Sequence, residues 1–73
     1  PVYVNFSNFS TEDGTASVTG FNSLLEGATF VLDGGIVILS ADGGDGGSEE
    51  IVTISKAMTL QTDGNTMSIG VSP

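Results

Sequence analysis

Chemistry-bearing side chains gather in the middle of the chain. Asp42-Gly-Gly-Asp45-Gly-Gly47, followed by Glu49 and Glu50, sets hard carboxylate oxygens on a pliable loop. Oxygens of this kind are the ligands Ca²⁺ takes. Asp42, Asp45 and Glu49 are therefore the candidate metal ligands, and calcium is the one cofactor these residues suggest. The competing reading is a solvated turn, because Gly/Asp clusters mark turns far more often than ion sites. The cluster occurs once, has no EF-hand spacing, and lacks the apolar residue that alternates in Gly/Asp calcium repeats.

A second pair of candidates lies near the start. Asn5-Phe-Ser7 and Asn8-Phe-Ser10 are consecutive N-x-S sequences, the acceptor pattern for N-glycosylation. So short a pattern also arises by chance. Catalytic groups are scarce. With no His and no Cys, neither nucleophilic triads nor His-based metal centres are available. Glu49 and Glu50 are adjacent, so on a strand they point to opposite faces and do not form a glycosidase pair. Lys56 is the single base of the chain, and a structural role at a corner between strands fits it better than lone proton transfer. The glycines at 43–47 lack the strand–loop–helix context of a phosphate cradle. The expectation is a protein that is not an enzyme.

Charge narrows the partners. Nine acidic residues against one Lys leave a net charge of −8 over 73 residues. Phosphate backbones and anionic membranes both require basic clusters, so neither nucleic acid nor a lipid surface is an expected partner. No apolar run approaches the roughly 20 residues of a membrane span. The acidity, the abundant Gly, Ser and Thr and the scarce Lys suggest an extracellular or cell-surface protein. The chain opens on Pro1-Val2 with no initiator Met and no basic leader. A processed chain and a piece of a longer one are both open.

These residues must be positioned by short elements. Val2-Tyr-Val-Asn-Phe6 alternates in the manner of a half-buried strand, with Val2, Val4 and Phe6 inward and Tyr3 and Asn5 outward. Ser10-Thr-Glu-Asp-Gly14 is a turn cluster, and Ala16-Ser-Val-Thr19 a candidate second strand. Ser23 and Glu26 have capping-box spacing, Phe21 could staple the entry, and Leu24, Ala28 and Val31 or Leu32 recur at helical spacing. A helix within 21–33 is expected, ending at Asp33-Gly-Gly35. Beyond it lie Ile36-Val-Ile-Leu39, a loop over 40–48, Ile51-Val-Thr-Ile54, Met58-Thr-Leu60 and Met67-Ser-Ile69. Strands so short and closely spaced suit a chain that winds in rungs. Ile36, Ile38, Val52, Ile54, Leu60 and Ile69 are the expected inward aliphatics. With no cysteine, no disulfide supplements this small core.

The run Asp33-Gly-Gly-Ile-Val-Ile-Leu39, the glycine loop, Glu50-Ile-Val-Thr-Ile-Ser-Lys56 and Met58-Thr-Leu60 resembles the right-handed parallel β-helix family, specifically the opening coils of pectin-lyase-like repeat proteins. The likeness covers 21–70, most of the chain, and is most specific at 51–60. Two features depart from it. The Tyr usual before the Glu is missing and the 41–48 segment is longer, and Ala57 stands where Pro is common. The resemblance implies a mainly β chain forming a short right-handed parallel β-solenoid. In it, 1–20 supply an edge strand and turns, 21–33 an N-terminal capping helix, and 34–73 the rungs. It also implies that lyase chemistry, which in the family uses acidic Ca²⁺ ligands and Lys/Arg, lacks its basic residues here.

So few rungs leave an uncovered end. Solenoid stability is roughly a sum of neighbour interfaces, and about three or more repeats are usual. The expected function is therefore structural, by strand-to-strand association with other copies, as in a filament, or with the rest of a longer β-helix. Val2, Val4, Phe6, Leu60 and Ile69 are the expected contact residues. A capping helix would oppose simple stacking, whereas the first strand could add to a neighbour's edge. The alternative is the N-terminal piece of a polysaccharide-binding or polysaccharide-processing protein, for which only Tyr3 is an expected exposed aromatic.

Overall fold

The computed structural model describes residues 1–70. Five strands and one α-helix occur in the order β1 (Val2–Asn5), a 3-10 turn (Ser17–Thr19), α1 (Leu24–Phe30), β2 (Gly35–Ser40), β3 (Gly46–Ser48), β4 (Met58–Thr62) and β5 (Met67–Ile69). The strands form two small sheets, β1-β2-β4 and β3-β5, and neither closes on itself. Every pairing is parallel. Residues of β2 meet those 23 positions later in β4 (Ile36 opposite Thr59). Residues of β3 meet those 21 positions later in β5 (Gly46 opposite Met67). Two near-equal offsets mean that the chain returns to the same side after each pass, with the intervening residues forming the crossover.

The inward set differs from expectation at β2. Val37 and Leu39 are in the core while Ile36 is exposed and Ile38 half-buried. Four consecutive apolar residues carry no alternation of their own, so the neighbouring strand decides. β1 does alternate, and its register sets Val2 beside Val37 and Val4 beside Leu39. Val2 and Val4 face the core and take Val37 and Leu39 with them. The same register continues to β4 and aligns Leu60 with Val37 and Thr62 with Leu39.

Helix α1 is shorter than the expected 21–33. Ser23 caps it by accepting the Glu26 N–H at 3.2 Å. The Glu26 carboxylate then accepts from the Ser23 hydroxyl rather than from its backbone. Gly27 weakens the helix by propensity, yet a Cβ there would run into the Val4 side chain. The missing side chain is what lets α1 lie on β1. Phe21 does not staple the helix. It forms a parallel bridge with Val4, and its ring stacks on Phe30 at 5.0 Å.

Three further expectations change. Residues 16–19 make a 3-10 turn, closed by Thr19 N–H to the Ala16 carbonyl, instead of a strand. The loop 40–48 is not free throughout, because Gly46–Ser48 pair with β5. Gly47 permits this approach, since a Cβ would collide with the Ser68 carbonyl oxygen. Residues 51–55 form no strand among the described residues. They are a β-forming run with no neighbour to pair with.

The core is built from Val4, Phe21, Leu24, Val31, Val37 and Leu39, with Val52, Met58, Met67 and Ile69 packed at its border. Among the described residues every buried one lies within 1–40, and none beyond Ser40 is buried. Packing is therefore polarised along the direction in which the strands stack.

Candidate functional site

The three calcium candidates do not converge. Asp42 accepts from the Asn5 amide at 3.1 Å. Asp45 accepts from the Thr66 N–H at 2.8 Å and so ties the loop to the start of β5. Glu49 is exposed. Among the described residues no three such side chains group as a metal site. Each aspartate instead ties the loop to a distant segment, Asp42 to β1 and Asp45 to the residue before β5.

The glycosylation candidates are turned inward. Asn5 is 4% exposed and Asn8 7%, which overturns the outward placement of Asn5. The Asn5 amide donates to Ser17 O and Asp42 Oδ1. The Asn8 amide donates to Thr11 O and Gly20 O. Both hydrogens of each amide are thereby committed, so the folded chain offers no free nitrogen for a glycan. Each Oδ1 accepts the N–H two residues on, from Ser7 and Ser10 respectively. The N-x-S spacing is used twice here as an Asx-turn. That second meaning of the pattern was legible and outranks the acceptor reading.

Glu50 and Lys56 clamp α1. The Glu50 carboxylate accepts from Leu24 N–H and Leu25 N–H, each at 2.9 Å, and from the Ser48 hydroxyl. Burial disfavours its charge, but the Ser48 hydroxyl and the two N–H groups outweigh that and hold its pKa below the usual glutamate value. At the other end, Lys56 Nζ donates to the carbonyls of Ala28, Thr29 and Val31, the last at 2.7 Å. An anion on the first turn and a cation on the last both oppose the helix dipole favourably. In the sequence Glu50 stands out only as an oxygen ligand or half of a glycosidase pair, and its place at the start of α1 was missed.

The sheet edges are unequal. On β1, Phe6 N–H bonds toward β2, at Ser40 O, so the groups of Tyr3 and Asn5 point to the outer side. All four are satisfied: Tyr3 N–H by Gly14 O, Tyr3 O by Phe21 N–H, Asn5 N–H by Phe21 O, and Asn5 O by Asn8 N–H. Val4 is wholly buried, and Val2 and Phe6 are half-buried against the core. β1 is the outermost strand of its sheet, as expected for Val2, Val4 and Phe6, but the turns after it fold back over that edge.

On β4 the opposite holds. Gly34 N–H bonds to Ala57 O, and Asp63 N–H to Leu39 O. Odd-numbered groups therefore face β2, and those of Met58, Leu60 and Thr62 face outward. On β5, Gly46 N–H to Thr66 O and Gly70 N–H to Ser48 O leave Met67 and Ile69 outward. No strand pairs with these edges among the described residues. Leu60 aligns with the inward Val37 yet remains 43% exposed, while Ile69 is half-buried. Ile51, on the unpaired run before β4, is 94% exposed. Pro and charge, which usually guard an edge, are absent from β4 and β5.

Tyr3, the aromatic expected on the surface, is half-buried, and Phe9 and Phe30 are exposed instead. Phe9 and Val18 flank a cleft of about 420 Å³ that also reaches Ser7, Ser10 and Asp42. No helix among the described residues is long and apolar enough to cross a membrane. No protein-family model, no curated protein and no solved structure matches this chain.

Proposed function

We propose that this chain is an end unit of a β-solenoid and serves a structural role, joining by strand-to-strand contact another copy or further coils. One observation carries the reading: the β1 edge has every outward backbone group satisfied, whereas the β4 and β5 edges have none paired among the described residues. An unguarded edge recruits strands. The parallel pairing at offsets of 23 and 21 (Ile36 opposite Thr59, Gly46 opposite Met67) is what coiled rungs require. The resemblance to the opening coils of pectin-lyase-like proteins points the same way. α1 and the turns over β1 then act as the cap of the first rung. Such a unit suits an extracellular or cell-surface assembly and needs no catalytic group.

Amide hydrogen exchange of the chain, measured from micromolar to near-millimolar concentration, tests this. The N–H groups of Met58, Leu60, Thr62, Met67 and Ile69 should exchange freely when dilute and slow as concentration rises. A monomer at every concentration, with those amides always fast, removes the association.

A second reading, a polysaccharide-binding surface, is favoured by the cleft beside Phe9. An exposed ring stacks on sugar faces while Ser7, Ser10 and Asp42 could bond hydroxyl groups. Retention on polysaccharide columns that is lost in Phe9→Ala supports it, and the absence of retention removes it.

A further inference from the structure

We infer that the occupant of the open edge is a second copy of this chain, paired antiparallel through β4 about a two-fold axis at Leu60, so that assembly closes at two. The inference rests on the association reading above and names its partner and geometry.

A head-to-tail series needs two complementary surfaces on each copy. One of them would be the outer edge of β1, and that edge has no group left to offer. A heterologous contact through β1, the kind that grows filaments, is thereby denied its second half. Among the described residues β4 is the longest strand with an open edge, and the same patch facing itself is an isologous contact, which closes.

The pairing is self-complementary. Met58, Leu60 and Thr62 present both N–H and C=O outward. With the axis at Leu60, each Leu60 exchanges two hydrogen bonds with its counterpart, and each Met58 faces a Thr62 of the other copy. Leu60 lies on the core side of the sheet, in line with Val37. The two Leu60 side chains therefore meet and continue the core across the junction.

The same axis carries the residues just before β4 onto the side occupied by β5 in the other copy. β5 of one chain then meets residues 51–54 of its counterpart. Among the described residues neither stretch has a partner on the side it presents, and the two run in opposite directions across the axis. Ile51, the most exposed large apolar side chain among the described residues, is brought toward this contact.

Charge agrees. At −8 per copy, two chains repel over most of their surfaces. The stretches 51–55, 57–62 and 66–70 carry no ionisable side chain, so the proposed contact is where repulsion is least.

The test combines mass with geometry on the whole chain. Sedimentation should show a concentration-dependent dimer that does not grow further. Leu60→Pro removes an outward N–H that the β2 ladder does not use, a position where an edge tolerates proline. It should retain the circular dichroism of the parent and weaken the dimer by roughly tenfold or more, two central hydrogen bonds being lost. The chain has no cysteine, so Gln61→Cys offers one thiol for a spin label. The two labelled positions would be diagonal neighbours about 7–8 Å apart, and strong dipolar broadening is expected in the dimer. Because a proline variant could misfold, the broadening in the otherwise unaltered strand decides independently. A dimer without broadening overturns the pairing. Particles that grow beyond two copies overturn the closure but leave the association reading standing. A monomer throughout overturns both.

Discussion

Asn5 and Asn8 act as internal splints. Each bridges its own Asx-turn to carbonyls a dozen residues away, Asn5 to Ser17 and Asn8 to Gly20. Removing such a side chain leaves buried acceptors without donors, which costs about 1–3 kcal/mol. Asn8→Ala should therefore lower stability by about that amount in chemical denaturation, while Asn8→Asp, which keeps the Ser10 bond but loses both donors, should recover little of it. These roles were half legible in the sequence. The N-x-S repeat announces local turns, but the partners Ser17 and Gly20 come from how 6–20 folds back over β1, which no local pattern states. The carboxylates of 42–49 illustrate the same limit. Their oxygen chemistry was visible, yet Asp45 bonds Thr66 N–H, a partner 21 positions away.

At the scale of elements, α1 is too short to stand alone, because seven residues are well below the length at which isolated helices persist. Its stability comes from packing on Val4 and from the charges at its two ends. Gly27→Ala raises helix propensity by about 1 kcal/mol, but the added methyl has no space beside Val4. Overpacking of a filled core costs about 1–3 kcal/mol, so the substitution should destabilise, and a raised melting temperature would refute the close fit. Glu50 gives α1 a pH dependence. Its folded pKa is lowered, so its contribution is full above the unfolded value of about 4.3 and is lost as pH falls through the folded value. Glu50→Gln should cost about 0.5–1 kcal/mol at neutral pH and flatten the acid limb of the stability curve. Element types were readable where periodicity was clean, as in β1 and the capped start of α1. In 36–39 the strand was readable but its inward face was not, because the run is apolar throughout and the register with β1 imposes the face. The strand at 46–48 was not readable, because glycine-rich composition concealed it.

Over the whole molecule, burial is concentrated where the chain begins and thins toward β4 and β5. The two ends of the stack are thus not equivalent, and charge adds to the asymmetry. Association through an uncharged edge between copies of charge −8 should strengthen with added salt as long-range repulsion is screened, the Debye length shrinking from about 30 Å at 0.01 M to about 10 Å at 0.1 M. Sedimentation at those two salt levels checks this, and weakening by salt would indicate contact through paired charges instead. That the chain is mainly short strands with one helix could be foreseen from the sequence. The closed state of the first edge could not, because it depends on Gly14 and Phe21 reaching β1 from beyond a long turn. Lys56 adds a practical corollary. As the sole Lys or Arg residue, it is the one peptide position where trypsin can cut, and its ammonium is held by three carbonyls of the helix end. Digestion must wait for that grip to open, so a single cleavage, yielding two fragments, becomes a clock for the release of α1.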